Sequence, residues 1–68
     1  MKIHFDPNTD ALYWRLDDSR ILESEEVRPG VILDYNGNNE VVGVEILRAG
    51  ERVPAEELRK LNFEVAAG

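Results

Sequence analysis

Three clusters of turn-forming residues cut the first fifty residues into short stretches, and that punctuation constrains the fold more than any other feature. Asp6-Pro7-Asn8-Thr9-Asp10, Pro29-Gly30 and Asn36-Gly37-Asn38-Asn39 combine the preset φ of proline, the positive φ open to glycine and the side-chain-to-backbone bonds of Asn and Asp. Between the clusters apolar and polar residues alternate, the period of a strand whose successive side chains point to opposite faces. Ile3 and Phe5 share a face before the first cluster, and Leu12, Trp14 and Leu16 share one across 11–17, the clearest strand and the hairpin partner of the first. Residues 21–28 have no strongly apolar face, so they predict a strand that is exposed, short or broken by a bulge. After Pro29-Gly30, the polar Asp34 implies that Val31, Leu33 and Tyr35 point inward. Residues 40–48 form the longest strand, with Val42, Val44 and Ile46 on one face and Val41, Gly43, Glu45 and Leu47 on the other.

Past Ala49-Gly50 the pattern changes. Pro54 suits a first helical position, Glu56 and Glu57 a first turn, and Arg59 and Lys60 a last turn, all in the sense that favours the helix dipole. Leu58 and Leu61 supply a buried stripe, and Val53 is a poor cap, so the spacing predicts a short helix over 53–62. Phe63 and Val65 are expected to fold back on the core, and 66–68 to fray. The whole of 1–68 reads as one α+β domain. An antiparallel β-meander of about five strands spans 1–48, with one short C-terminal helix packed on the face made by Phe5, Leu12, Trp14, Leu33, Val44 and Ile46.

Such a chain is poor in core. A domain of about 60 residues hides only about 60% of the surface its unfolded chain exposes. With no cysteine among 68 residues, neither a disulfide nor a thiolate metal site can supplement it. One short helix cannot roof five strands, and the opposite face carries Tyr13, Ile32, Val41 and Leu47. A homodimer through that face or an open sheet edge is therefore expected.

Charge narrows the partners. Fourteen Asp and Glu against eight Lys and Arg give a formal net charge of −6. Phosphate backbones are bound through Lys and Arg, and the basic residues here are scattered, so direct nucleic-acid binding is not expected. A basic protein partner is easier to accept, while taken alone the acidity is better read as keeping a small protein in solution. The run Glu23-Ser24-Glu25-Glu26 reads first as a solvated face, next as protection of a sheet edge, and third as a docking surface for such a partner. The longest apolar runs are far below the roughly 18 residues of a membrane span. The opening Met1-Lys2-Ile3-His4-Phe5-Asp6-Pro7 is unlike a signal peptide, which predicts a cytoplasmic protein that meets no membrane.

Chemistry-bearing patterns are sparse. Asp6-x-Asn8-x-Asp10 opens like a calcium loop and Asp17 falls at its twelfth position. However, Ala11 stands where the sharp turn needs Gly, and Asp17 where the bidentate Glu belongs. A hairpin loop is the better reading, and a metal-binding or enzymatic domain using Asp6, Asn8, Asp10 and Asp17 is the alternative. His4, the lone histidine, has no orienting group or nucleophile beside it in sequence. No cofactor is expected, and the chain reads as non-catalytic. A structural homo-oligomer without another partner is the remaining alternative.

Three segments together resemble a known family: Asp6-Pro7-x-x-Asp10-Ala11-Leu12-Tyr13-x-x-Leu16, Gly30-Val31-x-Leu33-Asp34 and Val41-Val42-Gly43-Val44-Glu45-Ile46-Leu47. Their order is similar to that of the small prokaryotic proteins grouped as Domain of Unknown Function 2283, over roughly residues 1–49. The resemblance implies a non-enzymatic protein with no catalytic or metal residues to carry over. It also implies an antitoxin-like role for part of the family, beside small basic ribonuclease-like toxins. On that reading the acidic third strand or the C-terminal segment would meet the toxin.

Overall fold

Each alternating stretch becomes a strand, and each turn cluster becomes a connection. The computed structural model describes residues 1–67. It holds β1 (Lys2–Asp6), β2 (Ala11–Arg15), β3 (Glu23–Arg28), β4 (Val31–Tyr35) and β5 (Val41–Ile46). All pairings are antiparallel, in the spatial order β1-β2-β5-β4-β3. The sequence of pairings therefore departs from the expected meander. β1 and β2 form one hairpin, and β3, β4 and β5 run as consecutive neighbours. The 16–22 connection carries the chain from β2 past β5 and β4 to the far edge, the arrangement of a Greek key. Alternation sets which face each residue occupies but says nothing about such a long-range pairing, which is why the order was not foreseen.

The turns use the chemistry their residues offer. In the first, Asn8 N–H donates to Asp6 Oδ1 at 2.9 Å, and Asp10 takes φ 55°. Pro29-Gly30 joins β3 to β4 with Gly30 at φ 78°, as the third residue of a type II turn requires. In the third, Asn36 Oδ1 accepts the backbone N–H groups of Asn38 (2.9 Å) and Glu40 (3.0 Å), an Asx-type closure. Arg15 fixes the crossing connection by donating to the Asp17 carbonyl at 2.6 Å and to the Ser19 carbonyl.

Cross-strand register gathers the apolar residues on one face. Ile3, Trp14, Val44 and Leu33 lie in one row across β1, β2, β5 and β4, and Phe5, Leu12, Ile46 and Val31 in the next row on that side. The face expected to be the core is thus assembled, yet it stays thinly covered. Val42 and Ala49 are the hydrophobic residues buried outright among those described, and Trp14, expected in the core, is 41% exposed.

The missing roof is the reason. Where a helix was expected over 53–62, only the 3-10 turn Glu57–Arg59 forms, after another at Ala49–Glu51, and Lys60 is already extended. A helix of ten residues is too short to hold itself together without packing. Here Leu58 is half-buried but Leu61 is exposed, so the stripe that would dock it never closes. The fold is mostly β, not α+β. Phe63 and Val65 do not fold back: they remain exposed, as do Ala66 and Ala67, while Gly68 lies outside the described residues. The molecule is a slab of 36 × 36 × 19 Å, one sheet deep with a partial overlay. Among the described residues no helix is long and apolar enough to cross a membrane.

Candidate functional site

On the face opposite the apolar rows, four strands contribute to one polar network. Asp34 on β4 is 8% exposed, the one buried charged residue among those described. Its Oδ2 accepts the Tyr13 hydroxyl from β2 at 2.6 Å, and its Oδ1 accepts the Ser24 hydroxyl from β3 at 2.5 Å. Asp34 pairs with Gly43 on the intervening strand β5, and the phenol of Tyr13 reaches Asp34 across that glycine. A Cβ on Gly43 would collide with the Tyr13 hydroxyl and stand 2.8 Å from Asp34 Oδ2. The Arg15 guanidinium lies 3.5 Å from the same hydroxyl. Burial raises the Tyr13 pKa above its ordinary value, the Asp34 hydrogen bond adds to this, and Arg15 partly opposes it.

That shift has a pH signature. A raised phenol pKa means the folded chain holds its proton more tightly than the unfolded chain. The contribution is therefore complete below the ordinary tyrosine value of about 10 and is lost as pH rises through the folded-state value. Urea unfolding midpoints of the native chain should fall above about pH 10, and Tyr13→Phe should flatten that fall. Equal alkaline losses in both proteins would show that the Tyr13–Asp34 bond carries none of it.

The residues expected to matter are dispersed around this network. Tyr13, Ile32 and Leu47 are half-buried, and the Tyr13 hydroxyl is committed to Asp34. A bulge between Asp34 and Tyr35 sets Val41 opposite Tyr35 instead of continuing the simple alternation, and Val41 is exposed. Glu23, Glu25 and Glu26 all lie exposed on β3, an edge strand that a second bulge, between Glu26 and Arg28, distorts. The weak, bulged strand foreseen at 21–28 is therefore present, shortened to Glu23–Arg28. Glu26 Oε2 also accepts the Gly30 N–H at 3.1 Å, so it fastens the adjoining turn.

The Asp6, Asp10 and Asp17 carboxylates accept backbone N–H groups, that of Asn8 among them. Asp10 Oδ1 accepts the Gly50 N–H at 2.9 Å and its carbonyl accepts the Ala49 N–H at 2.9 Å, which ties the first hairpin to the exit of β5. Asp17 Oδ1 accepts the Ser19 N–H at 2.7 Å, and hydrogen bonding from Ser19 holds its pKa below the ordinary carboxylate value. Among the described residues no three acidic or histidine side chains gather where they could share an ion. His4 is exposed on edge strand β1 beside Lys2, Tyr13 and Arg15, around a shallow open depression.

Tyr13, Asp34 and Gly43 each fall in one of the three sequence segments singled out above, and the fold brings all three to one point. A family model described as a protein of unknown function (DUF2283) matches residues 2–49, more than half of the chain. The chain belongs to this family. In this DUF2283 protein the matched stretch ends at Ala49, whose N–H makes the bond to Asp10 that closes the sheet end. No curated protein and no solved structure matches the chain.

Two members of the network were missed in sequence. Ser24 sits inside an acidic run and the alternation of β4 turns Asp34 away from the apolar face, so neither stands out in the sequence. The available signal is Gly43, a glycine inside a strand rich in β-branched residues, which marks a close approach by another group.

Proposed function

We propose that this protein is a non-catalytic interaction module that captures a basic protein along the outer edge of β3, the antitoxin-like role implied by its family resemblance. The observation that carries this reading is the edge itself. β3 ends the sheet, and Glu23, Ser24, Glu25 and Glu26 are all exposed along it. An edge strand presents unpaired backbone donors and acceptors, so a partner strand can add to it. Three carboxylates on six residues select a partner carrying Lys and Arg, and the net charge of −6 steers it inward. The buried carboxylate of Asp34 is a poor candidate for acid–base chemistry because both its oxygens already accept hydroxyls.

The test is co-expression with the protein encoded next to this chain, followed by co-purification and measurement of growth rescue. Like charges set against each other at an interface cost several kcal/mol, so converting Glu23, Glu25 and Glu26 to Lys should weaken the complex at least about a hundredfold. Failure of the native chain to bind or rescue would refute the reading, as would a complex indifferent to the triple substitution.

A further inference from the structure

The C-terminal segment keeps a strand-like alternation whose apolar residues stay mostly exposed on its own subunit. In Leu61-Asn62-Phe63-Glu64-Val65 the apolar residues recur at every second position, as on a half-buried strand. Yet Leu61 is 66% exposed, Phe63 66% and Val65 82%, and the segment has no strand partner. A little upstream, the overlay stands off the sheet. A groove of about 390 Å³ lies between Ile3, Phe5, Leu12 and Trp14 below and Val53 and Leu58 above, with Leu61 of the same subunit at its margin. A dry cavity of about 150 Å³ accepts a benzene ring, so this groove has room for more than one large side chain.

The areas agree. The chain exposes 5424 Å², whereas a compact monomer of its mass exposes about 4,300 Å². The excess of about 1,100 Å² slightly exceeds the roughly 800 Å² that each partner contributes to a standard interface. Its radius of gyration, 13.2 Å, is likewise larger than the roughly 11 Å of a compact chain of this length.

We infer that a second copy of this chain covers the apolar face, the two subunits exchanging residues 61–65 so that Leu61, Phe63 and Val65 of each lie over the Trp14 side of the other. The exchange buries two exposed apolar surfaces, the Trp14 side of the rows and the extended segment. It is independent of the acidic edge: β3 lies at the opposite side of the sheet from β1 and stays free for another partner. A mutually exchanged segment needs no new fold, because its bonds to the rest of the subunit are already few.

Trp14, the sole tryptophan, reports the outcome directly. Light scattering should give the mass of a dimer at micromolar concentration, and Trp14 emission should shift to the red on dilution as its ring becomes wet. Leu61→Glu with Phe63→Glu should raise the dimer dissociation constant by about tenfold or more while the far-ultraviolet β signal persists. Val65→Glu, at the most exposed position, carries the same test if the pair disturbs the sheet. A native monomer with red-shifted emission, or arm variants that dimerise as tightly as the native chain, would overturn the exchange. Neither result bears on capture of a basic partner, which the growth assay reads separately.

Discussion

Gly43→Ala should remove about 2–4 kcal/mol of stability, the sum of an overpacking penalty of about 1–3 kcal/mol and the loss of about one buried hydrogen bond. The added methyl group has no room, because the Tyr13 hydroxyl and Asp34 Oδ2 occupy the space above the glycine. For the methyl to fit, the phenol must lift and its 2.6 Å bond to Asp34 must break. A chain of this size has a total stability of roughly 3–10 kcal/mol, so the substitution takes a large fraction of it. Its melting temperature should fall by roughly 10–25 °C. A double-mutant cycle with Tyr13→Ala supplies the check: once the phenol is gone, Gly43→Ala should cost markedly less. Additive losses would mean that the crowding at Gly43 has another source.

The second large effect falls on Asp34. Asp34→Ala should cost about 2–3 kcal/mol, since hydrogen bonds to a charged acceptor contribute about 1.5–3 kcal/mol each and one of the two freed hydroxyls, on exposed Ser24, can turn to water. Asp34→Asn keeps the shape and one good acceptor and should cost about half as much. Because Ser24 is the side-chain tie from β3 to this centre, amide exchange in β3 should accelerate in Asp34→Ala more than in β1. Uniform acceleration across the sheet would show that the tie is not specific to the edge.

How far the chain could be read in advance follows from the range of each interaction. Hairpin turns and faces depend on neighbours in sequence, so the alternation around Trp14 and the glycines at 30 and 37 placed five strands within a residue or two. The pairing of β2 with β5 joins segments about thirty residues apart, and nothing local encodes it. The polar network depends on that pairing, so Tyr13, read as a surface or interface aromatic, could not be matched to Asp34. The C-terminal segment failed for a different reason. Its charges complement a helix dipole, worth about 0.3–1 kcal/mol each, but of its stripe Leu58 finds cover and Leu61 does not. Local preference without a packed face does not sustain a ten-residue helix. For the acidic edge, the charges and the bulge were visible in the residues, whereas its position at the sheet margin required the strand order.

The tie between Asp10 and Ala49 draws a seam through the polypeptide. Before it, main-chain bonds belong to the ladder; after it, from Glu51 to Lys60, every main-chain donor that is satisfied by another backbone group looks only a few residues back. Among the described residues, the platform and its appendage therefore meet through side chains, with Arg52 donating to the Pro29 carbonyl at 3.1 Å and Val53 and Leu58 standing over Phe5 and Leu12. A different tail after Gly50 would leave the ladder's own bonds untouched and change what overlies the apolar rows, so recombination at this joint would alter the cover without rewriting the sheet.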